Sequence, residues 1–142
     1  MIRKLTNADI DKIMDIWLES TVNAHDFISI KYWENNYKVV KDLYIPIADT
    51  FVYEEEGEIK GFISIINNEF IGALFVDVKF QGIGIGTKLI DHSIRKYKKL
   101  TLAVYKENKK SVEFYTRKGF KIIEEGLNED SGCPEYIMKN KI

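Results

Sequence analysis

The chain has 142 residues, the size of one domain, and roughly two-thirds of its unfolded surface can be buried on folding. A formal net charge of −1 excludes a bulk electrostatic pull toward nucleic acid, and a single cysteine, Cys133, excludes an internal disulfide and fits a reducing compartment. No run approaches the ~18 apolar residues of a membrane span and Met1 is followed by no signal-peptide core, so the expected address is the cytoplasm, with no membrane partner.

Residues 2–5 read as a first strand, and Thr6 with Asp9 three residues on makes an approximate capping box. Ile10, Ile13, Met14, Trp17 and Thr21 recur at helical spacing, which predicts one buried stripe. His25-Asp26-Phe27-Ile28 breaks that period and reads as a loop. Ser29 caps a second predicted helix in which Ile30, Trp33, Tyr37, Val40 and Tyr44 share a face, and Pro46 ends it for want of an N–H.

Strands follow. Phe51 to Tyr53 and Ile59 to Ile66 flank the turn Glu55-Glu56-Gly57-Glu58, and Asn67-Asn68 makes a second turn. Phe70 to Val76 is a nearly continuous apolar run, expected at the sheet centre with both faces covered. Beyond a glycine-rich loop comes a helix with Leu89, Ile90, Ser93, Ile94 and Tyr97 on its buried side; His92 falls between them and is expected in solvent. Leu100 to Val104 is another strand. Asn108 or Ser111 caps a helix through Lys118, and Gly119 stops it as a left-handed residue. Phe120 to Glu125 and Tyr136 to Met138 read as closing strands around a polar, turn-rich segment from Gly126 to Pro134. There is no repeat, linker or low-complexity stretch, so residues 1–142 are expected to form a single α/β domain.

The loop Gln81-Gly82-Ile83-Gly84-Ile85-Gly86, between a strand and a helix, is the most informative segment. Glycines let a ligand approach the main chain closely, and the helix start adds unpaired N–H groups and a partial positive charge. Together these form a cradle for a pyrophosphate. A tight turn without a ligand explains the same glycines. A P-loop does not fit, because Gly86 is followed by Thr87-Lys88, the inverted order. A Rossmann fingerprint does not fit either, because Thr87 stands where the third glycine belongs and no acidic residue ends the next strand.

The segment Leu74 to Gly86 resembles motif A of the GNAT superfamily of acetyltransferases, Gln/Arg-x-x-Gly-x-Gly/Ala after a central strand, with Gln81, Gly84 and Gly86 as the matches. Asn108 to Phe120 resembles the family's second segment, Asn-x-x-[Ala/Ser]-x-x-Phe-Tyr-x-x-x-Gly-Phe. The order of elements is also similar, so the resemblance covers essentially the whole chain. It implies a GNAT-like fold: a mixed, splayed β-sheet flanked by helices. It also implies acetyl-CoA as co-substrate, entering where the strand before the loop parts from the strand after the loop helix. The residues implied to bind it are Leu74, Phe75 and Val76, then Gln81, Gly82, Ile83, Gly84, Ile85, Gly86 and Thr87, and finally Asn108, Ser111 and Tyr115. Two positions depart from the family: Val78 stands where many relatives have Pro, and Phe70 holds a place often given to a carboxylate or His, with Glu69 one residue out of phase.

Transfer to an amine needs a neutral nucleophile, a stabilised oxyanion and a protonated leaving thiol. The resemblance puts the Tyr115 hydroxyl near the coenzyme sulfur as general acid and a main-chain N–H of the Phe75–Val76 region at the oxyanion; pattern alone makes Tyr115 a core residue beside Val112. His25, in the loop where the family lines its acceptor site, is a candidate base or an ordinary loop histidine. Glu69 and Asp26 are further candidate bases, with bound water as rival to all three. No Cys/His spacing suggests a metal site. The expected function is transfer of an acetyl group to a primary amine of a small molecule, amino acid or peptide. The alternative is a non-catalytic acetyl-CoA-binding domain of the same fold. The short basic runs, Arg95 to Lys99 and Lys109-Lys110, read as solvated helix ends rather than a nucleic-acid surface. The protein is expected to be a monomer or homodimer.

Overall fold

The computed structural model describes residues 1–140. Strand β1 (Ile2–Lys4) leads to Thr6, whose N–H donates to the Asp9 carboxylate at 2.8 Å; the Arg3 guanidinium holds the same carboxylate at 2.8 and 3.1 Å. Helix α1 (Ile10–Ala24) buries Ile13, Met14, Ile16, Trp17, Ser20 and Thr21: the predicted stripe with Ile16 and Ser20 added and Ile10 only half-buried. Helix α2 (Ile30–Val39) starts at Ser29, whose hydroxyl accepts from Tyr32 N. The shared face expected for this helix forms only in its middle, where Trp33, Tyr37 and Val40 pack on the α1 side of the core. The chain widens into a π turn at Val40–Tyr44 and then a 3-10 turn at Ile45–Ile47, so the helical register is lost. Of the predicted face Trp33 is buried, while Ile30 and Tyr44 are exposed.

Strands β2 (Asp49–Glu55), β3 (Glu58–Ile66) and β4 (Phe70–Val76) form an antiparallel meander. Its second turn uses Asn67 and Asn68, both left-handed at φ +55° and +60°, the pair of angles a type I′ hairpin requires. Helix α3 (Ile85–Tyr97), β5 (Thr101–Tyr105), α4 (Lys109–Arg117), β6 (Phe120–Leu127) and β7 (Pro134–Asn140) complete a seven-stranded mixed sheet in the order β1-β2-β3-β4-β5-β7-β6. Strands β6 and β7 run longer than the sequence predicts, and the loop between them shrinks to 128–133. β6 is an edge strand, exposed along nearly its whole length, so it carries no hydrophobic alternation to read.

The sheet separates two apolar layers. Phe51, Ile63, Leu89, Ile90 and Leu102 pack on the α3 side, and Val52, Phe62, Met14, Trp17 and Trp33 on the α1–α2 side. Adjacent residues such as Phe51 and Val52, or Phe62 and Ile63, fall on opposite sides as a pleated strand demands. His92 is not in solvent: its ring lies 4.9 Å from that of Phe51, half-buried, with Nδ1 lacking a partner.

Two features open the middle of the sheet. β4 pairs in parallel with β5 only at Phe70–Thr101 and Ile71–Leu102, so the strands part beyond Ile71. At the same level β4 shifts register against β3: Ile71 faces Ile65 and Ala73 faces Ser64, leaving Gly72 as the extra residue of a bulge. β4 is therefore central in order but only half-covered, with Ile71 its one fully buried residue.

Candidate active site

The gap between β4 and β5 is a cleft of about 820 Å³, closed on one side by the glycine loop and on the other by the start of α4. Which atoms of β4 face it follows from the strand's hydrogen bonds. Asp77 N donates to Lys60 O at 2.8 Å, so Asp77 and, by alternation, Phe75 turn their main-chain groups toward β3. Leu74 and Val76 then face the gap. The Val76 carbonyl is already held there by Ser20 Oγ at 3.1 Å and by Gln81 Nε2 at 3.0 Å. The open groups are the N–H and C=O of Leu74 and the N–H of Val76. Phe75 contributes its side chain to the lining, not the main-chain pairing expected for it.

The loop supplies donors for an anion. Gly84 is the N-cap of α3 at φ +92°, an angle that L side chains rarely adopt, and no side chain caps the helix. The first intrahelical bond runs from Lys88 N to Gly84 O, so the N–H groups of Ile85, Gly86 and Thr87 remain unpaired by the helix. A Cβ on Gly86 would meet Phe114 and Val76 at ordinary contact distances of 3.6 and 3.7 Å. The protein itself thus has room for a side chain there, and the glycine serves the open side of the cleft. Gln81, Gly82, Gly84, Ile85, Gly86 and Thr87 all line the cleft; Ile83 does not, and its side chain is 65% exposed.

Helix α4 supplies Asn108, Ser111 and Tyr115 to the same lining. Asn108 is its N-cap, accepting from Ser111 N at 3.3 Å. Tyr115 is buried against Phe114 and Phe120, and burial pushes its phenol well above the ordinary tyrosine range. It is therefore protonated throughout the physiological range.

The structure does not bring the candidate bases together. Glu69 is exposed in the β3–β4 turn, at the end of β4 remote from the glycine loop, about 20 Å away by strand rise. Asp26 is exposed. His25 is buried, with Nδ1 at 2.8 Å from the Thr21 carbonyl and Nε2 at 3.2 Å from Asn108 Nδ2, so both ring nitrogens are engaged. Burial lowers its pKa, with the Thr21 bond acting weakly in opposition. Its ring packs with Phe27, Trp33 and Tyr105 beneath the β6–β7 loop, which is tied down by Tyr32 Oη to Asp130 at 2.6 Å and by Tyr105 Oη to Ser131 at 3.0 Å.

Sequence reasoning missed several lining residues. Ser20, Asn23 and Ala24 reach the cleft from the end of α1, and Lys109, Lys110 and Arg117 from α4. A signal for the lysines was present: α4 opens with two cations and no acid in its first turn, against the helix dipole. Two positive charges at a helix N-terminus are costly unless an anion joins them. Among the described residues no group of three or more His, Cys, Asp or Glu is close enough to hold a metal ion, and no helix is long and apolar enough to cross a membrane.

A strand edge offering main-chain groups, an anion cradle at a helix start and a protonated phenol on the facing helix are the parts of an acyl-CoA-dependent transferase. A family model of the acetyltransferase (GNAT) domain matches residues 12–141, and the chain belongs to that family. It is 35% identical over 138 residues to peptidyl-lysine N-acetyltransferase YiaC of Escherichia coli (strain K12), covering 97% of this chain and 94% of that one. It is 32% identical over 142 residues to peptidyl-lysine N-acetyltransferase YjaB of Salmonella typhimurium, covering 99% and 96%. The solution structure of apo YjaB from Escherichia coli superposes with a TM-score of 0.85 at 26% identity, covering 98% of this chain and 95% of that one. The protein is an N-acetyltransferase that uses acetyl-CoA as co-substrate and an amine as acceptor.

Proposed function

We propose that this chain acetylates the ε-amine of lysine in peptides or proteins, with Tyr115 as general acid. The observation that carries the acid assignment is the lining of one cleft: Tyr115, the open groups of Leu74 and Val76, and the unpaired N–H groups of α3 all meet there, while His25 and Glu69 do not. Acetyl-CoA supplies the thioester carbonyl and a thiolate leaving group. Leu74 and Val76 orient the pantetheine arm by strand-like bonding, and the Val76 N–H stabilises the developing oxyanion. The N–H groups of Ile85, Gly86 and Thr87 bind the pyrophosphate, with Lys109, Lys110 and Arg117 adding charge. Tyr115 Oη gives its proton to the departing sulfur. The acceptor loses its proton to water, since the Nε2 lone pair of His25 is engaged by Asn108.

The lysine reading is supported by the names of the two full-length relatives and by the anionic groups around the aromatic cluster. Asp130 stands exposed on the β6–β7 loop, and Glu107 is the one carboxylate among the cleft's lining residues. Such groups draw in an ammonium before it is deprotonated. The net charge of −1 and the single thiol support a cytoplasmic protein without a nucleic-acid partner. The test is mass spectrometry after incubation with acetyl-CoA and peptides carrying both a free N-terminus and an internal lysine, beside a panel of small amines. The expected product is ε-acetyl-lysine. Acetylation confined to α-amines or small amines would overturn the lysine assignment.

A further inference from the structure

Four groups beside the cleft form one directed chain of hydrogen bonds. The Thr21 carbonyl can only accept, so His25 Nδ1, 2.8 Å away, carries the ring proton. Nε2 is then bare and accepts from Asn108 Nδ2 at 3.2 Å. With its nitrogen given to His25, Asn108 turns Oδ1 to Ser111 N, from which it accepts at 3.3 Å. The chain runs from the last turns of α1 to the first turn of α4. No member can be reversed without placing two donors face to face. His25 is 7% exposed, and the rings of Phe27, Trp33 and Tyr105 lie with centroids 5.2–5.6 Å from its own.

We propose that His25 is a positioning residue: through Asn108 it fixes the first turn of α4 against the coenzyme, and the hold requires a neutral imidazole. The proposal rests on the reading that the cleft takes acetyl-CoA. Once protonated, His25 donates from Nε2. Asn108 must then turn Oδ1 toward the ring, its Nδ2 confronts Ser111 N–H, and the cap of α4 is lost. Asn108, Ser111, Lys109 and Lys110 all line the cleft, so loosening this turn acts directly on the coenzyme. The elements packed on the ring present Thr21 from α1, Phe27 from the loop, Trp33 from α2, Tyr105 from β5 and Asn108 at the start of α4. Of these only the Tyr105 phenol titrates, and burial raises its pKa. Burial among the rings keeps His25 neutral at physiological pH.

The test is calorimetric titration of CoA into the full chain and variants at about pH 8 and about pH 5.5, either side of the ordinary histidine range. His25→Phe keeps an aromatic ring and removes the bonds to Thr21 and Asn108; at the higher pH it should weaken CoA by about five-fold, the size of one lost hydrogen bond. His25→Gln retains an acceptor for Asn108 and a donor for Thr21 but cannot gain a proton. It should bind within about two-fold of wild type at the higher pH and lack wild type's extra loss at the lower one. CoA's own phosphates titrate alike with all three proteins, so that effect cancels. A folded His25→Phe with wild-type affinity, or identical pH profiles for wild type and His25→Gln, overturns the proposal. Imidazole ¹⁵N shifts of the free protein decide independently: Nδ1–H with bare Nε2 at neutral pH is expected, and the opposite tautomer overturns the clasp. Wild type that binds no CoA at either pH, while showing the expected tautomer, sinks the functional reading and with it the coenzyme role of His25.

Discussion

At its coenzyme end the cleft is built from main-chain groups: the N–H donors of Ile85, Gly86 and Thr87 and the gap-facing edge of β4. Beside the cleft, outside its lining, stands a wall built from side chains on two loops: His25 and Phe27 after α1, and Asp130 and Ser131 between β6 and β7. The main-chain end is generic and the side-chain wall particular. Backbone donors are the same in every sequence, so a site made of them needs only the right turn and an absence of Cβ atoms. A wall of side chains is set by which residues happen to face one another across distant segments. Tyr32 and Asp130 are 98 positions apart.

The largest expected effect breaks the chemistry without touching either wall. Tyr115→Phe keeps the ring packed against Phe114 and Phe120 and removes the proton. Turnover should fall by roughly 10²–10⁴ while coenzyme affinity stays nearly intact. The loss should shrink when a better leaving thiol replaces that of CoA. Single-turnover kinetics check it, and near-normal rates would return Tyr115 to the core.

The next effect isolates the main-chain end. Gly86→Ala places a methyl at 3.6 Å from Phe114, on the open side of the cleft and within a helix. The variant should be more stable by about 0.5–1 kcal/mol, because alanine favours the helix. Its affinity for CoA should drop roughly ten- to a hundred-fold from the steric clash. Thermal unfolding and calorimetry on one sample test both halves. A destabilised variant with normal affinity would make the glycine a structural requirement instead.

The same comparison explains what the sequence made legible. Gly84 was legible because its left-handed angle favours glycine, Gln81 and Gly86 because they stand at the motif's spacing from it, and β4 was bounded correctly at Phe70 and Val76 because its apolar run is nearly continuous. The bulge had one signal, the glycine at 72 inside a strand, but its effect on register depends on the partner strand; it is what turns Leu74 and Val76, rather than Phe75, into the gap. Glu69 was a candidate only while its distance along β4 from the loop was unknown. His25 and Ser20 make contacts to Asn108 and Val76, 83 and 56 positions away, which no local pattern encodes.

A smaller effect sharpens the account of the side-chain wall. Burial lowers the pKa of His25, and that of His92, where Arg95 and Lys96 add to it. The unfolded chain therefore binds more protons than the native one below the ordinary histidine value of 6.5. Stability is complete above that pH and declines as pH falls through it, by at most about 1.4 kcal/mol per pH unit for His25. Below pH 4 a second decline follows as Asp9 protonates; its hydrogen bonds to Arg3 hold it at about 2, against 3.8. Urea unfolding across this range should show His25→Gln with the shallower slope between pH 6.5 and 5. Equal slopes would mean that the imidazole is not held neutral by the fold.

Amide NMR of the protein titrated with CoA reads out whether coenzyme lies along β4 and across the start of α3. The N–H resonances of Leu74 and Val76, and those of Gly84 to Thr87, should move most, with Phe75 moving less because its N–H is committed to β3. The contradicting result is unmoved loop amides, with the shifts confined to the separate groove along α1 that Lys12, Glu19 and Lys79 line.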